Sequence, residues 1–282
     1  MNPTDKGCQR ITREPNPLAA FIRWGIIFQL VALRRQFLMS TKTSEHKESA
    51  IARAERQVAR LQEILNAIRH PDGLPVFQMN PEQQWQFTQY IRLLLEWNQR
   101  TDLISPGDEG RIAERHILES LAVAAAWPFI VGTSVLDLGS GAGFPGLPLK
   151  IMCPDLIMTL LDSRQRRWLF LNSTKRYLGL ENCFPLCERA EQLAKAPEQP
   201  EDRRQFEIVI ARAVADLRKL WRWSRPILAP GGVLLAMKGG DLEDELQTLK
   251  KFDPKASYQI RQYSPEWKVD PTRCLVVVGE NL

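Results

Sequence analysis

One stretch constrains the fold of this chain more than any other: Val135-Leu136-Asp137-Leu138-Gly139-Ser140-Gly141-Ala142-Gly143-Phe144-Pro145-Gly146. Apolar β-formers lead into an acid and then into four glycines within eight residues. That pattern predicts a strand that stops at a backbone-built ligand loop and restarts as a helix. Glycine tolerates φ > 0 and lets a ligand approach the main chain. Twenty-five residues after Asp137 comes a second acidic strand end, Leu160-Leu161-Asp162. Together they predict an adenosine-containing ligand across the tops of two neighbouring parallel strands. A tight strand-to-helix turn without a ligand would need neither the four glycines nor the second acid.

Gly141 to Gly146 also fits G-x-G-x-x-G, the pattern of dinucleotide sites. In such sites backbone N–H groups and a helix N-terminus meet an anionic pyrophosphate. Asp137 would repel phosphate; it suits a cation such as the amino group of S-adenosylmethionine. Pro145 and Pro148 are tolerated in a first helical turn, but they remove N–H donors that a pyrophosphate would use. The methyl-donor reading is therefore preferred to a nicotinamide one.

The chain has 282 residues, 44% hydrophobic and 25% charged, room for one large domain with extensions. Its net charge of +5 is compatible with an anionic partner without requiring one. The five cysteines (Cys8, Cys153, Cys183, Cys187, Cys274) form no C-x-x-C pair, and there are three histidines (His46, His70, His116), so no metal is expected. The odd cysteine count fits reduced thiols in a cytoplasmic protein.

Residues 1–43 read as a divergent or disordered extension. Phe21 to Leu33 is apolar but interrupted by Arg23 and Gln29 and closed by Arg34-Arg35. Its uninterrupted part is far short of the ~20 residues of a membrane span, so no stable membrane association is expected. Met39-Ser40-Thr41-Lys42 reads like a start, and translation is expected to begin there; the intact mass of the protein from its native host tests this. Residues 44–128 read as a helical region. Ile51, Val58, Leu61, Leu65 and Ile68 recur at helical spacing, Pro81 opens a second helix, and a third runs from about Arg111 to Ala126. From 129 to 282 strands and helices alternate, with strands expected at 134–138, 156–161, 183–187, 206–211, 232–237, 257–263 and 273–279. Helices fit at 145–152, 163–178, 214–228 and 241–251. Val/Ile/Leu-rich alternation predicts a parallel sheet covered on both faces. The last two strands lack room for a crossover helix and should pair antiparallel. The expected fold is α/β: a doubly wound, mostly parallel seven-stranded sheet, Rossmann-like as in class I methyltransferases, with a helical N-terminal extension.

From about Trp85 onward the chain resembles the RsmG (GidB) family, bacterial 16S ribosomal RNA guanine-N(7) methyltransferases. The resemblance rests on Glu96-Trp97-Asn98, Arg115-His116-Ile117-Leu118-Glu119-Ser120, the glycine loop with Phe144-Pro145-Gly146-Leu147-Pro148, Leu160-Leu161-Asp162-Ser163, Arg189-Ala190-Glu191, Ala211-Arg212-Ala213 and Met237-Lys238-Gly239. Asp102 stands where the family usually has Asn. The resemblance implies S-adenosylmethionine as co-substrate, and 16S rRNA or the small ribosomal subunit as partner. Its acceptor would be a guanine of the 530 loop. Separately from the resemblance, the protein is expected to be a cytoplasmic monomer. The resemblance also implies that Gly139 and Phe144 contact the donor, beside Asp137, Gly141 and Gly143, which the loop pattern itself offers as donor-binding residues. Asp162 would hold the ribose hydroxyls, Ala190 and Glu191 would lie beside the adenine, and Arg212 would close the methionine end.

Guanine N(7) carries a free lone pair, so in-line attack on a sulfonium methyl needs no general base, and orientation can supply much of the rate. Asn98, His116, Arg212 and Lys238 are the candidates to hold the guanine. Lys238 or Arg212 could donate to O(6) or a phosphate. Each has a plainer reading. Asn98 could form a turn, His116 could make a core polar contact, Lys238 could be a solvated strand end, and Arg212 could pair with Asp216. Glu191 could be a solvated helix-start acid. Arg164, Arg166, Arg167, Lys175 and Arg176 cluster on one expected helix, and Arg218, Lys219, Arg222 and Arg225 on another beside Trp221 and Trp223. Either set could neutralise phosphates or simply face solvent, and the tryptophans read as core. Two alternatives stay open: a methyltransferase for a small molecule or protein, and a non-catalytic ribosome-assembly factor.

Overall fold

The computed structural model describes residues 48–69, 77–195, 205–280 and 282. The expectations for residues 1–43, the Met39 start among them, lie outside the described residues, as does the segment 196–204.

Seven strands form one sheet: β1 (Ser134–Leu138), β2 (Ile157–Leu161), β3 (Cys183–Leu186), β4 (Phe206–Arg212), β5 (Leu228–Gly239), β6 (Ala256–Gln262) and β7 (Arg273–Glu280). Their order is β3-β2-β1-β4-β5-β7-β6. The first five run parallel, while β7 is antiparallel to both β5 and β6. From β1 the chain moves outward to β2 and β3 and then returns to β4 on the other side of β1. The gap above β1 and β4 is thus the switch point where open α/β sheets bind ligands.

Side chains alternate along each strand, and the two faces carry separate cores. Val135, Leu160, Ile210, Leu235 and Val277 belong to one, and Leu136, Leu161, Val209, Leu234 and Val276 to the other. The first core lies under α1 (Ala50–Ala67), α2 (Pro81–Asn98), α3 (Leu118–Ala126), α4 (Gly146–Met152) and α5 (Gln165–Leu178). After β3 comes the single turn α6 (Ala190–Leu193); the second core is covered by α7 (Leu217–Ser224) and α8 (Glu243–Phe252). Pro81 stands at the start of α2, where Asn80 and Gln83 form a reciprocal capping box. Gln83 Nε2 also donates to Ile151 O at 3.0 Å, tying α2 to α4. Lys150 on α4 is buried, and its ammonium donates to the carbonyls of Pro154 and Leu156.

Three elements differ from the sequence reading, each for a local reason. The helix expected over 111–126 is a 3-10 turn (Pro106–Arg111), a π turn (Ala113–Ile117) and then α3. Gln57 of α1 fixes this junction: its Nε2 donates to Glu109 O at 3.0 Å and its Oε1 accepts from Ala113 N at 3.1 Å. The helix expected over 214–228 shortens to α7. Asp216 caps its start through Lys219 N, and a 3-10 turn containing Pro226 follows it. β5 starts earlier than expected because Leu228 pairs with Phe206 across a register shift.

Candidate active site

Gly139 N and Ser140 N both donate to Leu161 O, at 2.8 and 2.9 Å, so the glycine loop folds back over the end of β2. Gly139 has φ +78°, and a Cβ there would meet Val214 Cγ2 at 2.6 Å. Gly146 is required by proximity: a Cβ would lie 2.4 Å from Leu160 Cδ2 and 2.6 Å from Asp137 Oδ2. That contact lets Gly146 N donate to Asp137 Oδ2 at 3.0 Å. Tyr90 of α2 reaches the loop from below, its buried hydroxyl donating to Ala142 O at 2.7 Å. Its ring packs on Phe144, centroids 5.6 Å apart.

Asp137 is fully buried, and its Oδ1 has no hydrogen-bond partner. Burial pushes its carboxyl up to about 7, against the pull of the Gly146 N–H. Asp162 lies one residue past β2. Its Oδ2 accepts from Gly141 N at 3.0 Å and its Oδ1 from Arg164 N at 2.8 Å, with Arg167 Nη1 3.4 Å from Oδ2. The two acids named from sequence therefore brace the glycine loop from both sides.

Phe144 joins this loop to a polar cluster. Arg212, the last residue of β4, sets its guanidinium 4.9 Å over the Phe144 ring, and the His116 ring lies 4.9 Å from it, tilted by 32°. Arg212 Nη1 is 3.2 Å from His116 Nδ1 and 3.3 Å from Glu119 Oε2. Arginine has only donors, so Nδ1 accepts and the ring proton sits on Nε2. That nitrogen lies 3.3 Å from Asp108 Oδ2 without hydrogen-bond alignment. Burial, then the Arg212 charge, hold His116 down to about 4, so the imidazole is neutral near neutral pH. Arg212 thus pairs with Glu119, not with Asp216, whose carboxylate pairs with Lys219 at 3.2 Å. His116, Glu119 and Arg212 line a cleft of about 750 Å³.

Not every candidate meets here. Asn98 closes the loop after α2: its Oδ1 accepts from Leu103 N and Ile104 N at 2.9 and 3.0 Å, and its Nδ2 donates to Glu109 at 2.9 Å. Lys238 is neither solvated nor in the cleft; its ammonium donates to Ala215 O at 2.8 Å and to Glu245 at 2.7 Å. Ala190 and Glu191 open α6, with Glu191 exposed. Tyr90, Asp108 and Glu119 carry this geometry and were not singled out from sequence. Glu119 lies within the Arg-His motif, which was its only signal.

Tyr90→Phe keeps the ring packing and leaves Ala142 O without its partner. A stability loss of about 1–3 kcal/mol is expected in urea titrations, with weaker S-adenosylmethionine binding by calorimetry.

Asp137 and His116 give opposite pH dependences. Between the ordinary carboxylate range and about 7, folded Asp137 binds a proton that the unfolded chain releases; its contribution is largest in acid and is lost as pH rises to about 7. His116 in the fold rejects a proton that the unfolded chain binds, so stability is lost as pH falls from 6.5 to about 4. The stability of Asp137→Asn relative to the parent is therefore expected to rise from about pH 4 to about pH 7, and that of His116→Asn to fall over about pH 4 to 6.5. Denaturant titrations across that range measure both; parallel profiles would contradict the assignment.

The strand order, the glycine loop at the switch point and the acid after β2 define a class I S-adenosylmethionine-dependent methyltransferase. The family model described as rRNA small subunit methyltransferase G matches residues 83–268, and the chain belongs to that family. A Brevibacillus brevis protein named ribosomal RNA small subunit methyltransferase G is 39% identical over 173 residues, 61% of this chain and 71% of that protein. The Lactococcus lactis protein of the same name is 36% identical over 195 residues, 67% of this chain and 77% of that one. Among solved structures, Aeropyrum pernix fibrillarin with natively bound S-adenosyl-L-methionine is 16% identical, with TM-score 0.44 over 59% of this chain and 75% of that one. The fold assignment rests on strand order and register, not on that likeness.

Proposed function

We propose that this enzyme transfers a methyl group from S-adenosylmethionine to N(7) of a guanine in the 530 loop of 16S rRNA. The observation that carries this is the junction at Phe144, where the glycine loop meets Arg212 and a neutral His116, both lining a cationic cleft.

The residues fit the donor. Asp137 Oδ1 is a buried acceptor without a partner, suited to a cationic ligand. Gly141 has φ +57°, and a Cβ there would lie in van der Waals contact with Arg167 Nη1 at 3.7 Å. On this reading Asp162 holds the ribose hydroxyls, and Ala190 and Glu191 of α6 border the adenine. When bound, S-adenosylmethionine supplies an electrophilic methyl on a sulfonium. The protein's task is orientation. Arg212, held by Glu119 and set over Phe144, donates to guanine O(6) and leaves N(7) free for attack. His116 keeps its proton on Nε2 and takes none from the substrate, as expected for a nucleophile with a free lone pair. Lys238 supports Arg212 indirectly by anchoring the 213–216 loop, and Asn98 anchors the loop carrying Asp108.

On this reading the donor domain spans 129–282, preceded by the helical region 44–128, and the protein acts as a cytoplasmic monomer. No helix among the described residues is long and apolar enough to cross a membrane. The test uses small subunits and rRNA from cells lacking the protein, incubated with purified enzyme and methyl-labelled donor. A single 7-methylguanine in the 530 loop, mapped by borohydride–aniline cleavage, is expected. No label with donor binding intact would reject this acceptor; label on another nucleotide or on protein would replace it.

A further inference from the structure

We infer, resting on the rRNA reading above, that the RNA backbone enters through the cleft between α1, the 106–117 segment and the approach to β7. Arg60 comes from α1, Arg111 and Arg115 from the 3-10 and π turns, and Lys268 and Arg273 from the approach to β7 and its first residue. With Arg212 these are six cations facing four carboxylates.

The carboxylates are already engaged. Asp108 accepts from Ser105 Oγ at 2.9 Å and from Arg115 at 3.0 Å. Glu119 holds Arg212 and lies 3.9 Å from Arg273. Glu114 is 3.5 Å from Arg60, and Asp270 accepts from Thr272 N and Oγ1. Arg111 and Lys268 are exposed, and neither has a carboxylate within ion-pair distance among the described residues. Ion pairing offsets Asp108, Glu114 and Glu119, Asp270 keeps its charge, and Arg111 and Lys268 supply the net positive charge available to phosphates. A cleft of about 750 Å³ lined by Arg212 and His116 brings a splayed nucleotide to the two side chains that pack on Phe144 of the donor loop.

This location differs from the basic helices that the sequence offers. None of the cations of α5 or α7 lines the cleft. Arg167 of α5 turns to Asp162, and α7 covers the opposite face of the sheet. The cleft also enlists α1, which precedes the family-matched residues 83–268. Gln57 joins α1 to the same segment that carries Arg111 and Arg115.

The test is direct binding of unmodified small subunits, and of their free rRNA, across a salt series, together with methyl transfer. The double variant Arg111→Glu/Lys268→Glu is expected to lower kcat/KM for RNA about 10-fold or more, with S-adenosylmethionine affinity within about twofold of the parent. The log–log salt slope of binding should flatten by about 1.4 to 1.8, the value for two lost phosphate contacts. The neutral pair Arg111→Gln/Lys268→Gln should fall between, and its thermal midpoint and donor affinity report that it is folded. An unchanged slope and KM would overturn the inference, as would a larger loss from Arg218→Glu/Arg222→Glu on α7. Because binding is read without transfer, a parent that binds through the cleft but methylates no rRNA would reject the acceptor reading and leave the cleft standing.

Discussion

Arg212→Ala is expected to lower kcat/KM for methyl transfer by about 10²- to 10³-fold, the scale of removing one preorganised donor at a reacting centre. The side chain leaves three partners at once: the Phe144 face, His116 Nδ1 and Glu119 Oε2. Glu119 is then left with only the longer Arg273 contact. Arg212→Lys should recover little, because an ammonium cannot lie flat on the ring and reach both neighbours. The discriminating measurement separates transfer from donor binding. Single-turnover transfer should fall by the full factor, while S-adenosylmethionine affinity by calorimetry should weaken only severalfold. Equal losses in both would mean that Arg212 serves the donor alone.

Gly146→Ala is expected to cost about 2–3 kcal/mol, at the upper part of the range for overpacked cores. The added methyl would meet Leu160 Cδ2, Asp137 Oδ2 and Asp137 Cβ, at 2.4, 2.6 and 2.9 Å. None of these is the free end of a flexible side chain: Leu160 is buried in the sheet, and Asp137 is bonded to Gly146 itself. In a chain of this size each kcal/mol moves the thermal midpoint by about 2–4 °C, so a fall of roughly 5–10 °C is expected by calorimetry. Displacing Asp137 should also weaken donor binding. A variant with parental Tm would show that Gly146 is a matter of conformational ease and not of space.

The sheet was readable because its evidence is local and periodic. Runs such as Val233 to Met237 leave little choice of element, and the short link between β6 and β7 forces their antiparallel pairing. The donor loop was readable for the same reason: glycines and acids stand close together in sequence. The acceptor side was less so. Arg212 lies 93 residues from Glu119 and 96 from His116, and no spacing rule chooses Glu119 over the nearer Asp216 as its partner. The π turn was hidden because its register depends on Gln57, 56 residues before Ala113. Lys238 was placed correctly at a strand end, but its direction is set by Glu245 and Ala215, which only the packing of α8 and the 213–216 loop reveals. The family resemblance supplied His116 and Arg212 as motifs, and the structure shows why they stand together.

The position of β7 bears on how the chain reaches its native state. β6 precedes β7 in sequence, yet β7 lies between β6 and β5. Until β7 is in place, β5 ends the parallel sheet with an open edge, and β6 has no neighbour to pair with. β7 carries two sets of hydrogen bonds, one local to the β6–β7 hairpin and one across to β5. Pairing of β7 with β5 is the step that closes this edge. Before that step the exposed edge of β5, with Leu234, Leu235 and Ala236 at its centre, is the segment of the nascent protein most open to pairing with another chain.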